Sequence, residues 1–224
     1  MRQLLLATVL LPALVHADGL TVDKVYHPYV QPLEREMEVR MTSADGEERY
    51  RFGLGQSVSD RVFFEAYFIA KDDNNHLTLD AIELEAKWQL TEQGEYAVDW
   101  GVLFELEKQQ HINAWEASAG LLMAKQWGQW VGTANVTVAY EWGQGINNEI
   151  ESLLALQAKY RYGSFFEPGL EFYSSESGQA LGPVLMGDIH LGQGKKVHWE
   201  VGSIFGLGYK APDNNYRLLM EYEF

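Results

Sequence analysis

The sequence predicts an all-β chain folded as a closed, antiparallel 12-stranded transmembrane β-barrel. From residue 33 to the end, apolar and polar residues alternate with a period of two, and turn chemistry interrupts the alternation at regular intervals. Aromatic residues of the apolar face gather near strand ends. Trp88, Tyr96, Trp127, Trp130, Tyr160 and Tyr162 fall at one end, and Tyr50, Phe68, Trp115, Tyr140, Trp142 and Tyr216 at the other, as membrane-interface girdles do. The apolar faces of twelve strands would also overfill a closed interior, whereas a bilayer accommodates them all. Apolar faces are therefore expected outward and charges inward.

The 224 residues hold 32 acids and 17 bases, with 46% apolar residues and no cysteine. This composition excludes general disorder, disulfide frameworks and thiol chemistry, and its acidic balance argues against a nucleic-acid partner. Residues 1–17 read as a signal peptide: Arg2 gives a positive start, residues 4–14 a compact apolar run, and Val15-His16-Ala17 a small-residue cleavage pattern. The run is about half the roughly 20 residues that a spanning helix needs. No later stretch approaches one. Residues 18–32, with Pro28 and Pro32 and with Tyr26 and Tyr29, read as an extended periplasmic lead-in, either a tail or a plug at the barrel mouth.

The barrel is assigned to residues 33–224. In residues 33–42, Met37, Val39 and Met41 oppose Glu34, Glu36, Glu38 and Arg40; in 48–58, Tyr50, Phe52 and Leu54 oppose Arg49 and Arg51. Strands over 61–70 and 79–90 follow, the latter setting Ile82, Leu84, Ala86 and Trp88 against Glu83, Glu85 and Lys87. Residues 91–94 make a turn before a strand over 95–107. Strands 115–127 and 130–142 are joined by Gly128-Gln129, a pair suited to a primed hairpin turn. Strands 150–162, 167–174, 181–191, 196–208 and 215–224 complete the twelve, with Pro168 and Pro183 expected near strand starts. With both termini periplasmic, the connections on that side are expected to be short and most external ones longer.

The chain ends Leu218-x-Met220-x-Tyr222-x-Phe224. This ending resembles the terminal strand of Gram-negative outer-membrane β-barrel proteins, whose final Phe is read by the barrel-assembly machinery. The stretches Tyr26-His27-Pro28-Tyr29-Val30-x-Pro32-Leu33-Glu34 and Glu167-Pro168-Gly169-Leu170-Glu171-Phe172-Tyr173 are similar to an uncharacterised proteobacterial outer-membrane family, a likeness that implies no activity. The resemblance implies residence in the outer membrane after signal-peptide removal. Its implied partners are membrane lipid, lipopolysaccharide and the assembly machinery.

The expected lumen face carries Glu34, Glu36, Glu38, Arg40, Arg49, Arg51, Arg61, Glu65, Glu83, Glu85, Lys87, Asp99, Glu105, Glu107, Glu116, Glu141, Lys159, Arg161, Glu171, Arg217 and Glu221, and acids predominate. An acidic interior favours cations, so a small, porin-like, cation-leaning diffusion channel is expected. A barrel plugged by its own ion pairs is the alternative. Asp188, His190, His198 and Glu200 flank a turn symmetrically; with Asp188 opposite Glu200 and His190 opposite His198 they would hold a divalent metal. No other cofactor signature is present. An interfacial lipid-modifying enzyme is a third reading. The closely spaced His-x-Ser of the 12-stranded outer-membrane phospholipase is absent, and His111 and Ser118 lie seven residues apart. A non-enzymatic role is therefore expected, with no catalytic residue.

Overall fold

The structure, a computed structural model, describes residues 22–73, 76–208, 211 and 213–224. Residues 1–17, expected to be a signal peptide, and residues 18–21 lie outside the described residues. Twelve strands follow in order: β1 (Arg35–Ala44), β2 (Glu47–Ser59), β3 (Val62–Asp73), β4 (His76–Gln89), β5 (Asp99–Gln109), β6 (Ala114–Trp127), β7 (Trp130–Gly143), β8 (Glu149–Tyr160), β9 (Glu167–Ser175), β10 (Gly178–Gly192), β11 (Lys195–Gly206) and β12 (Asn214–Glu223). Each pairs antiparallel with the next, and β1 closes on β12 through a ladder from Glu36↔Glu223 to Ala44↔Asn215. Closure leaves no strand edge unpaired, the condition a sheet must meet to stand in hydrocarbon. Strand lengths of 9 to 15 residues suit a tilted crossing of the bilayer.

Burial follows the alternation. Along β1, Met37 and Val39 are exposed while Glu38 and Arg40, which alternate with them, are fully buried. The same sense holds around the wall: Phe52, Phe64, Leu84, Phe104, Val136, Leu156, Leu170, Val201 and Leu218 face out. Both girdles are present, with Trp88, Trp127 and Trp130 at the periplasmic end and Phe68, Trp115, Tyr140 and Tyr216 at the external one. Trp130 packs edge-on against Tyr160, with ring centroids 5.1 Å apart.

Several boundaries differ from expectation, each for a local reason. Strand β5 begins at Asp99, not 95, because the chain before it folds back. There the Asp99 carboxylate accepts from the Gly94 N–H at 2.8 Å, and the Thr91 hydroxyl accepts from the Trp100 N–H at 2.8 Å. The periplasmic connection at 90–98 is consequently long. On the external side, β3 and β4 stay paired out to Asp73↔His76, and β9 turns into β10 through Glu176-Ser177, with Gly178 at φ +145°. The expected contrast between short and long connections is thus weak. Pro183 lies within β10 rather than at its start, and the β10–β11 pairing passes from Leu181↔Phe205 to Val184↔Gly202, skipping Gly182 and Pro183. A proline has no N–H to give that ladder.

With the apolar face in lipid, Val39→Arg near the middle of β1 should destabilise the folded barrel by about 2–4 kcal/mol. The readout is urea unfolding in phospholipid vesicles; a midpoint unchanged from the parent would place residue 39 out of the hydrocarbon.

Candidate functional site in the barrel lumen

Residues 22–32 have no strand or helix. Pro28 and Pro32 disfavour helix at and before their positions, and the segment runs extended. The sequence left open a tail or a plug at the barrel mouth; the segment passes through the barrel. Val22 and Val25 pack in one cluster with Tyr173, Ala180, Val184, Met186, Ile204 and Ala211, the last from the external β11–β12 connection. Gln31, at the other end, is tied to the periplasmic rim: its carbonyl accepts from the Ser57 hydroxyl at 2.5 Å, and its amide lies 3.2 Å from Glu223. Leu33 then adopts φ +64°, almost fully exposed, and reverses the chain into β1.

Polar clips fix the path. Asp23 pairs with Arg40 and lies 3.7 Å from Arg51, and its carbonyl accepts from the Tyr173 hydroxyl and from Arg217. Lys24 Nζ sits 2.5 Å from Glu38 and 3.1 Å from Glu221. Asn135 holds Tyr26 at two points: its Oδ1 accepts from the Tyr26 N–H at 2.8 Å, and its Nδ2 donates to the Tyr26 carbonyl at 2.9 Å. The hydroxyls of Tyr26 and Tyr29 each donate over 2.7 Å, to Glu85 and Asp99, and the Val30 N–H donates to Gln89 at 2.7 Å. Opposite Pro28, Gly101 leaves the needed room, since a Cβ there would stand 2.9 Å from the Pro28 Cα.

The wall is divided. Strands β8 to β11 contribute inward apolar groups, Ala155, Tyr173, Val184, Met186 and Ile204 among them. Strands β1 to β6 present Glu36, Glu38, Glu65, Glu83, Glu85, Asp99, Glu105, Glu107 and Glu116, while Glu171 on β9 and Glu200 on β11 stand among the apolar groups. Around the middle, each strand places a buried residue inward: Arg40, Gly53, Tyr67, Glu85, Leu103, Leu122, Asn135, Gln157, Glu171, Val184, Glu200 and Leu219. With residues 22–30 between them, these groups fill the waist. Twelve strands enclose a cross-section intermediate between side-chain-filled and open barrels, so one extended segment suffices.

Two buried guanidinium groups, Arg217 and Arg40, and the half-buried one of Arg51 knit the charges. Arg217 Nη2 lies 2.8 Å from Glu171 and 3.0 Å from Glu200, and its Nη1 donates to the Tyr173 hydroxyl at 3.0 Å. Arg40 Nη2 is 2.6 Å from Glu38, and Arg51 Nη1 is 2.7 Å from Glu83. Glu34, at the periplasmic rim just before β1, has its pKa pushed up to about 7 by burial and by the neighbouring Glu223 carboxylate.

Among the residues expected to line the lumen, Glu38, Arg40, Glu65, Glu83, Glu85, Asp99, Lys159, Glu171 and Arg217 are buried inside. Glu36, Arg51, Lys87, Glu105, Glu107, Glu116, Glu141 and Glu221 are half-buried on the inward side, with Glu34 and Arg161 at the periplasmic rim. Arg49 is exposed at the external rim. Arg61 is not a lining residue: it belongs to the β2–β3 turn and pairs in solvent with Glu92 at 2.6 Å. The proposed metal quartet does not assemble either. A register shift between His190 and Gly192 places Asp188 opposite His198, His190 opposite Lys196 and Glu200 opposite Met186. His198 bridges Asp188 and Glu200 at 2.7 and 3.1 Å, while His190 is exposed. Carboxylates instead converge in three trios, Glu34-Glu36-Glu223, Glu36-Glu38-Glu65 and Glu83-Glu85-Glu105, each with oxygens within 4.8 Å. Ser118 donates to Glu105, and His111 stands exposed in the β5–β6 loop, so the two form no catalytic pair.

Sequence periodicity gave no hint of Asp23, Lys24, Tyr26 and Tyr29 as lumen groups; it turns Tyr67, Asn135 and Tyr173 inward, but nothing marked them as anchors of that segment. The signal present was weak: residues 180–186 are apolar on both faces, unlike a strand facing a wet lumen.

No protein-family model and no curated protein matches the chain. Solved structures do. A KdgM porin in complex with disordered oligogalacturonate superimposes with a TM-score of 0.61 at 12% identity, over 84% of this chain and 99% of that one. The COG4313 outer membrane channel from Pseudomonas putida F1 gives 0.59 at 11% identity, over 91% and 99%. This chain has the fold of an outer-membrane channel. The NanC porin is similar as well, with a TM-score of 0.58 at 7% identity, over 85% of this chain and 98% of that one. The outer-membrane barrel expected from the terminal strand is therefore the architecture observed.

Arg217→Ala would leave Glu171 and Glu200 buried without their guanidinium. Loss of one partner from such a cluster should cost about 3–5 kcal/mol. Urea unfolding in vesicles measures it, and a loss below about 1 kcal/mol, the range of an exposed pair, would mean that water reaches these carboxylates.

Proposed function

We propose that the protein is a porin-like diffusion channel of the Gram-negative outer membrane, with an acidic, cation-leaning lumen that its own residues 22–32 occupy at rest. The observation carrying this reading is the segment itself: it lies in a fold shared with channels and is held by hydrogen bonds, ion pairs and the packing of Val22 and Val25, with no disulfide to fix it. Every clip that holds it is reversible. Half-buried Glu105, Glu107 and Glu116 on the β5–β6 side would line the path once the segment moves, lowering the energy of a cation there relative to an anion.

Removal of residues 1–17 belongs to this reading. It would leave only four residues ahead of Val22, an end short enough to withdraw. Lipid and lipopolysaccharide would surround the outward face, and the terminal Leu218-x-Met220-x-Tyr222-x-Phe224 strand would be the assembly signal. No chemical step is assigned to the chain. The second reading, a closed structural barrel, draws on the filled waist and the buried Arg217 cluster.

Planar-bilayer recordings separate the two. The mature chain should show rare, brief openings, whereas deletion of residues 18–30, or Gly101→Val crowding Pro28, should give long-lived, cation-selective steps. Replacing Glu105, Glu107 and Glu116 by Gln in the deletion variant should lower the cation preference. Silence from the folded deletion variant would discard the channel and leave the structural barrel.

A further inference from the structure

The Glu36-Glu38-Glu65 trio brings three carboxylates together inside the barrel, with Glu221 beside them. Acids this close oppose one another's ionisation unless a cation sits among them. The cation here belongs to the internal segment. Lys24 Nζ lies 2.5 Å from Glu38 Oε2 and 3.1 Å from Glu221 Oε1, and it donates to the Tyr67 hydroxyl at 3.3 Å. Its charge also stands 4.9 Å from the Tyr26 ring centre and 6.0 Å from that of Tyr67, within the range at which a ring face attracts an ammonium.

An ammonium has three protons to give, and these three acceptors take them. Glu65 is only 5% exposed, yet its Oε1 has no hydrogen-bond partner among the described residues. The trio therefore retains acceptor capacity that Lys24 does not use. A buried carboxylate oxygen left in this way is costly and points to a further donor.

We propose that Glu36, Glu38, Glu65 and Glu221, with Tyr67, form a binding station for primary-ammonium solutes, and that Lys24 occupies it as a tethered stand-in. A seated alkylammonium already defines the ligand: a compact charge with three donors on an apolar stem, beside an aromatic face. A solute of this class would compete with Lys24, and its binding would loosen the Asp23-Lys24 end of the segment. The role in passage rests on the channel reading above; the binding itself does not.

Lys24→Ala removes the atoms from Cγ to Nζ, which n-propylammonium replaces. In detergent, n-propylammonium should raise the Tm of the full-length Lys24→Ala variant saturably, while the parent protein, its station filled, responds no more than it does to matched sodium chloride. Adding Glu65→Gln to Lys24→Ala should weaken that response several-fold. Equal responses from parent and Lys24→Ala would overturn the proposal. Stabilisation by calcium in place of the amine would overturn the ligand class, making the trio a divalent-cation site. If Lys24→Ala does not refold unaided, refolding yield becomes the readout: n-propylammonium restores it, and no restoration counts against the station. Silence in the bilayer recordings together with a saturable Tm response would defeat the channel reading and keep the station; conduction with no amine response would do the reverse.

Discussion

The guanidinium groups of Arg40 and Arg217, both withdrawn from water, set the terms for everything inside the barrel. A buried charge must be met by opposite charge and by hydrogen-bond partners, or the fold bears its desolvation unrelieved. Arg217 draws Glu171, Glu200 and Tyr173 to one side, and Arg40 draws Glu38 and Tyr67 to the other. Between them runs the segment, whose Asp23 offers its carboxylate to Arg40 and its carbonyl to Arg217. One residue thus completes both clusters. The segment is a component of the charge balance as well as an obstruction.

That dependence explains why the lumen is lopsided. A chain carrying Val22 and Val25 alongside Asp23 and Lys24 has two sides of different character, and the wall answers each. The β8 to β11 side is apolar where the valines press, and the β1 to β4 side is charged where Asp23 and Lys24 reach. The outer face needs no such division, because lipid is the same all round.

The barrel was legible in the sequence because hydrocarbon imposes a strict rule on every second residue. Strand number, closure and outward face all follow from that rule, as Met37, Val39, Leu218 and Met220 illustrate. Where no period governs, the reading failed. Residues 22–32 carry no alternation, and the alternation that turns Tyr67 and Tyr173 inward with Glu65 and Glu171 does not say what their hydroxyls hold. The β10–β11 hairpin shows the other weakness. The pairing inferred from the flanks of the turn, Asp188 with Glu200 and His190 with His198, is off by two residues, one because the turn is Gln193-Gly194 and one because the strand shifts register between His190 and Gly192, and this separated His190 from His198. Arg61 fell from the lumen list because its strand begins one residue later than its alternation implies.

The reversal at Leu33 also fixes a direction. The segment is anchored to β1 at one rim, and Val22, the first described residue, packs beside Ala211 from the connection at the opposite rim. On the channel reading, any departure is therefore a withdrawal past the rim that holds Leu33, on the periplasmic side, over a path of roughly 3.3 Å for each extended residue. A cork attached at the bottle's base leaves only downward. The side of the membrane that can act on the seal is thus the cell's own.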